Sequence, residues 1–302
     1  MMPAVESYLA VRRAAGFDLL NAGYLLRSFA RFASQRGEVH IRTHSAIDWA
    51  TEAASVAQRD ARLKCVCLFA RYLRAEDPNH ELPPAGYFGY RKSRRVPFIY
   101  SHMDIDRLIK AALQLGPPGA LRPQTYAALI ALLSVTGVRI SEALHLQIAD
   151  ITPEGLLIRK SKFQKTRLVP LHETAAKGLR TYLTLRRHAP AGDDHVFVDD
   201  EGRSLTYCAA YEMFQKLLKI SGIASTPNGQ RPRLHGLRHS FAVRALEASP
   251  EGRARIGQHM LALATYLGHV NIYSTYWYLE ATPELLRDIA VAAERFLTGE
   301  QK

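Results

Sequence analysis

Cysteine is scarce and unpaired in this 302-residue sequence: Cys65, Cys67 and Cys208 make an odd set without a Cys-x-x-Cys spacing. That excludes a disulfide-stapled scaffold and a thiolate zinc site, and it fits a reducing cytoplasm. Long apolar runs are missing as well. The longest, residues 127–133, falls far short of the roughly 18 to 20 residues that a bilayer-spanning helix needs. The first ten residues lack the charged-then-apolar pattern of a secretion signal. No Gly-x-x-x-x-Gly-Lys phosphate loop occurs, and no carboxylate cluster suits a two-metal nuclease, so no nucleotide or metal cofactor is expected. Acidic residues are also in deficit. Against 40 Lys and Arg there are 28 Asp and Glu, a net charge of +12, with a pI near 9.7. A polyanion is the natural partner, nucleic acid more than an anionic membrane, although charge does not separate DNA from RNA.

The length suggests two domains. Residues 1–88 read as a four-helix domain. Leu25, Leu26, Phe29, Phe32 and Ala33 recur at helical spacing, as do Leu63, Cys67, Ala70 and Leu73. Between them, Ser45-Ala46-Ile47-Asp48 has the form of a capping box and is expected to open a helix. Periodicity lapses from Asp77 to Pro97, among Pro78, Pro83, Pro84, Gly86 and Gly89. Residues 89–100 are assigned as an interdomain linker whose Arg91, Lys92, Arg94 and Arg95 are candidates for phosphate contact.

Residues 101–302 form the second domain, opened by a capping box at Ser101 to Asp104, with Ile105, Leu108, Ile109 and Leu113 on one face. A buried helix over 124–135 stops at Gly137, and a new one is expected over 141–147. Leu156 to Arg159 and Arg167 to Val169 alternate as strands of a hairpin, with Lys160, Lys162 and Lys165 between them. His195 to Val198 is a further strand candidate for the same small sheet. The remaining periodic stretches, 173–187, 206–220, 234–247, 255–267 and 282–297, read as helices. The last carries the apolar stripe Leu285, Leu286, Ile289, Ala293 and Phe296.

Three separated blocks carry chemistry. Thr136-Gly137-Val138-Arg139-Ile140-Ser141-Glu142 places an arginine just past a glycine-broken helix end, with a carboxylate one turn on. His235-Gly236-Leu237-Arg238-His239-Ser240 sets His235 and Arg238 on one helix face. His235 and His239, four apart, have the spacing of a metal pair, but no glutamate lies between them and no third ligand is evident. Leu267-Gly268-His269 is followed nine residues after the histidine by Tyr278, with Thr275 between. Guanidinium forks suit an anion whose charge grows on non-bridging oxygens as a nucleophile adds, so Arg139 and Arg238 point to phosphoryl transfer.

In this order the blocks resemble the tyrosine recombinase (phage integrase) family. The resemblance implies a mainly α protein: an N-terminal four-helix, SAM-like core-binding domain and a mostly helical catalytic domain with a small antiparallel β-sheet. It implies a site-specific DNA recombinase working through a 3′-phosphotyrosyl intermediate and a Holliday junction, without metal or ATP. Tyr278 would be the nucleophile, with Tyr276 its rival. Arg139 and Arg238 would clamp the phosphate, His235 would act as base, His269 as phosphate donor, and Glu142 would orient Arg139. Ser161 to Pro170 resembles the family's lysine hairpin, which makes Lys162 the general acid, with Lys160 and Lys165 as alternatives. The implied partner is double-stranded DNA bearing a specific site, engaged by a homo-tetramer or a hetero-assembly with related recombinases, in the cytoplasm at the nucleoid. The family tail helix docks on a neighbouring protomer. The Thr275-to-Leu279 string is similar to recombinases of mobile elements. Rival readings are a type IB topoisomerase-like enzyme and a non-catalytic accessory DNA-binding protein.

Overall fold

The structure is a computed structural model and describes residues 1–91, 96–117, 119–161, 165–188, 192–248, 256–269, 271, 275 and 278. The chain divides into two compact units, residues 1–94 and 95–302. The mainly α architecture with one small antiparallel sheet is the one expected. Among the described residues no helix is long and apolar enough to cross a membrane.

The first unit holds α1 (Met2–Ala14), α2 (Leu20–Gln35), α3 (Thr43–Thr51) and α4 (Val56–Arg74). Their apolar faces meet in a core of Val5, Leu9, Leu26, Phe29, Trp49, Val66 and Phe69, where Phe29 and Trp49 pack edge to face at 5.4 Å. Ser45 to Asp48 does not open α3, contrary to the sequence reading. The helix begins earlier, at Thr43, and Ser45 is fully buried within it, donating to Glu38. The amide of Thr43 goes instead to the Glu81 carboxylate at 2.8 Å. Glu81 is held there by its own N–H on Ile41 O, 2.9 Å, while His80 Nδ1 accepts the Ile41 N–H at 3.1 Å. The stretch after α4 therefore packs back on this unit before the chain continues.

The second unit runs α5 (His102–Leu113), α6 (Arg122–Thr136), α7 (Ile140–Leu144), a 3₁₀ turn (Ile148–Asp150), β1 (Ile151–Thr152), β2 (Gly155–Ser161), β3 (Lys165–Val169), α8 (Glu173–Arg186), α9 (Tyr207–Ile220), α10 (Leu234–Glu247) and α11 (Ile256–Leu267). The capping box at Ser101 and Asp104 is formed in both directions, at 3.1 and 2.9 Å. α6 is the central helix, apolar nearly all round, packed against α5, α8 and α10. The strands are antiparallel in the order β1-β2-β3, with Leu156 opposite Val169 and Ile158 opposite Arg167.

Two expectations need correction here. α7 ends at Leu144 rather than near Gln147, because Leu146 O accepts the Val196 N–H at 2.8 Å and Gln147 bridges His195. The run 195–198 does not join the sheet. It makes only isolated bridges, Gln147 to His195 and Val198 to Ser204, and Val196, Phe197 and Val198 are wholly buried as core filling. The expected tail helix over 282–297 lies outside the described residues.

Candidate active site

Gly137 ends α6 in the left-handed region, φ 60°. A Cβ there would lie 2.4 Å from Phe241 Cδ1, so this position takes glycine alone. The turn puts Arg139 at the N-cap of α7, where its main-chain N–H donates to Glu142 Oε2 at 2.9 Å and its Nη1 to Oε1 at 2.7 Å. Its Nη2 donates to Gly268 O at 3.0 Å. The first block and the Leu-Gly-His block, 129 residues apart, are thus in direct contact.

α10 delivers the second block. Gly236 sits where a Cβ would meet Tyr100 Cε2 at 2.8 Å, and Ser240 Oγ accepts the Tyr100 N–H at 2.7 Å. These two contacts fix the helix against the start of the unit. Arg238, 2% exposed, then donates from Nη1 to Gly137 O at 2.7 Å and from Nη2 to Leu267 O at 2.6 Å. His235 opens to solvent on one side and packs edge to face on His239, 4.6 Å between ring centres. His239 lies 5.4 Å from the Tyr278 ring. His269 stacks on the same tyrosine at 6.0 Å, and its Nδ1 is 2.7 Å from Thr275 Oγ1. Tyr278 is 2% exposed.

The structure therefore brings together Arg139, Glu142, His235, Arg238, His269 and Tyr278. Lys162 lies outside the described residues, as do Tyr273, Tyr276, Trp277, Lys92, Arg94 and Arg95, and the side chains of Lys160 and Lys165. Arg91 is exposed in the first unit. Among the described residues no group of three His, Cys, Asp or Glu is placed to hold a metal ion.

Sequence reasoning missed Arg167. It forks onto Glu142, Nη1 to Oε1 at 2.9 Å and Nη2 to Oε2 at 2.7 Å, while its Nε donates to Tyr266 O at 3.0 Å. The signal was in the alternation of β3: Leu168 is exposed and Val169 buried, so Arg167 points inward on the core face. An arginine on that face needs a partner, and Glu142 is it. Thr275, fully buried, was noticed only as part of the motif's spacing.

The electrostatics follow from this packing. Burial pushes the Glu142 carboxyl up, but the Arg167 hydrogen bonds, the Arg139 N–H and the two guanidinium charges outweigh it and bring the pKa to about 2. Burial and then the Arg238 and Arg139 charges hold His235 down to about 4. His269, desolvated and facing the same arginines with His235 and Arg167, also lies at about 4. His239 falls to about 3 through burial and its neighbours His235, Arg238 and His269. Burial raises the Tyr278 phenol, opposed by the charge and hydrogen bond of Arg238 and the charge of Arg139. Among the described residues, at neutral pH, three guanidiniums face one carboxylate among neutral histidines, an arrangement suited to an anion. An apolar cavity of about 540 Å³ between α5, α6 and α8 holds none of these groups. A smaller one, about 180 Å³, opens beside His235 and is lined by Gln230, Arg231 and Arg233.

Residues 100–284 match the model of the phage integrase family. The chain belongs to that family. It is 37% identical over 97% of its length to y4rB of Sinorhizobium fredii, described as a candidate integrase/recombinase, of which it covers 96%. In fold it is similar to the Tn1549 transposon integrase in complex with transposon right end DNA, with a TM-score of 0.66 at 17% identity over 94% of this chain and 97% of that one. It is also similar to a lambda integrase tetramer bound to a Holliday junction, with a TM-score of 0.63 at 16% identity over 92% of this chain and 76% of that one.

Proposed function

We propose that this chain is a site-specific DNA recombinase that cuts and rejoins strands through a covalent bond between Tyr278 and a 3′ phosphate. The observation that carries the reading is the meeting of three distant sequence blocks on one cationic site that contains a buried tyrosine. Tyr278 Oη attacks phosphorus, the bond to the 5′ oxygen breaks, and the new phosphotyrosyl ester keeps the bond energy for rejoining. A phenol with a raised pKa is a poor nucleophile unless its proton is taken. Neutral His235 receives that proton. Arg139 and Arg238 hold the non-bridging oxygens, where charge grows in the transition state, and His269 donates a further hydrogen bond. Lys162 gives a proton to the leaving 5′ oxygen. Glu142 aligns Arg139 and, through Arg167, ties β3 to the same site.

One structural neighbour, a lambda integrase tetramer bound to a Holliday junction, supports strand exchange by four protomers. The transposon integrase neighbour supports a role in a mobile element. We assign DNA binding in the core region to residues 1–88, phosphate contact to Arg91, Lys92, Arg94 and Arg95 of the 89–100 linker, and catalysis to residues 101–302, acting in the cytoplasm at the nucleoid. The test is Tyr278→Phe on a nicked suicide substrate. DNA binding should persist while the covalent adduct disappears. An adduct formed by the Phe variant, but lost in Tyr276→Phe, would move the nucleophile to Tyr276. Relaxation of a supercoiled plasmid lacking any recombination site would favour a topoisomerase.

A further inference from the structure

The hydroxyl of Thr275 has no exposure and sits 2.7 Å from His269 Nδ1. Thr275 and Tyr278 are three apart in sequence and each has helical backbone, and the histidine that Thr275 touches stacks on the Tyr278 ring. We propose that Thr275 is a positioning residue that donates its hydroxyl hydrogen to His269 Nδ1 and thereby keeps the ring's single proton on Nε2, where it can be given to the DNA phosphate. This rests on the reading of His269 as a phosphate donor.

The number of protons on the ring decides which partner donates. His269 is surrounded by Arg238, Arg139, His235 and Arg167, all cationic or able to become so, and the ring is neutral at pH 7. A neutral imidazole has one N–H. If that hydrogen lay on Nδ1, the Thr275 oxygen would consume it, and Nε2 would present a lone pair to an anionic oxygen, which is repulsive. If the hydroxyl is the donor, Nδ1 is satisfied as an acceptor and Nε2 carries the hydrogen outward. Full burial of Thr275 sharpens the choice, because water does not compete for its hydroxyl, while the ring itself is half-buried.

The full-length protein labelled with ¹⁵N-histidine decides the matter by long-range proton–nitrogen correlation spectra at pH 7, with His269→Gln assigning the signals. Wild type should show a protonated Nε2 and an unprotonated Nδ1. In Thr275→Val the two nitrogens should move toward averaged tautomer shifts, and adduct formation on the suicide substrate should fall by about tenfold, the scale of one lost buried hydrogen bond. Thr275→Ser should retain both properties. In a His269→Gln background, where the amide has no tautomer to hold, Thr275→Val should cost nothing more. An equal cost in both backgrounds means that Thr275 merely supports the turn, and a wild-type proton on Nδ1 overturns the proposal even if the valine variant does not fold. If His269→Ala cleaves at the wild-type rate, the donor role of His269 fails, whichever nitrogen carries the proton.

Discussion

Glu142→Gln should separate what the carboxylate charge contributes from what its shape contributes. The side chain is 6% exposed and binds both Arg139 and Arg167 at 2.7 Å, so water screens these pairs little. Folding moves its pKa from the ordinary 4.5 to about 2, which corresponds to about 3 kcal/mol. Breaking a buried ion pair by removing one partner costs about 3 to 5 kcal/mol, a consistent figure. Glutamine keeps the volume and one acceptor oxygen, so about 3 kcal/mol is an upper bound, and the melting temperature should fall by no more than roughly 6 to 12 °C. Because the folded-state pKa is depressed, the stabilisation is complete above pH 4.5 and drains away as the pH falls toward 2. At pH 3 about 1.5 kcal/mol of it should remain. Urea titrations of wild type and variant at pH 7, 4 and 3 measure the gap directly. A gap equal at pH 7 and pH 3, or absent at pH 7, would refute the assignment of that stability to the Glu142 charge.

Gly137→Ala meets both a left-handed backbone and the Phe241 ring 2.4 Å from the new methyl, so denaturant titration should show a loss of about 2 to 4 kcal/mol. Cleavage should fall further than stability, since Gly137 O holds Arg238; a fully active and stable alanine variant contradicts that turn. Lys162→Ala should slow cleavage of ordinary DNA yet be largely rescued when sulfur replaces the leaving 5′ oxygen, a group that departs without a proton. Equal defects on the two substrates would pass the acid role to Lys165 or Lys160.

Features set by near neighbours were legible in the sequence. The Ser101 and Asp104 box, the stop of α6 at Gly137 and the Arg139 to Glu142 contact each depend on a few consecutive residues. Strand alternation likewise located the hairpin. What could not be read depends on partners brought from far along the chain. The α3 amide is capped by Glu81, 38 residues away, and no local pattern announces such a partner. Val196, Phe197 and Val198 are apolar because they fill the core, and three apolar residues look alike whether they pair in a sheet or lie beside one. Arg167 was hidden differently. Read as part of a basic hairpin it is one more solvated charge; only the inward phase of β3 marks it as buried and in need of a carboxylate.

The two glycines of the motifs have a common physical purpose. α6 stops at Gly137 and α11 at Gly268, both in the left-handed conformation, φ 60° and 65°. A helix C-terminus leaves carbonyls without intrahelical partners and carries the negative end of the helix dipole, which attracts cations. Here those carbonyls, Gly137 O, Leu267 O and Gly268 O, accept from Arg238 and Arg139. The arginines are thus gripped mainly by backbone, and Arg139 also by Glu142. Backbone carbonyls orient a guanidinium without neutralising its charge, whereas a second carboxylate would have cancelled the field a phosphate needs. With a single carboxylate among three guanidiniums of the described residues the site remains cationic, and that is why buried Arg238 and half-buried Arg139 are still able to draw in an anion.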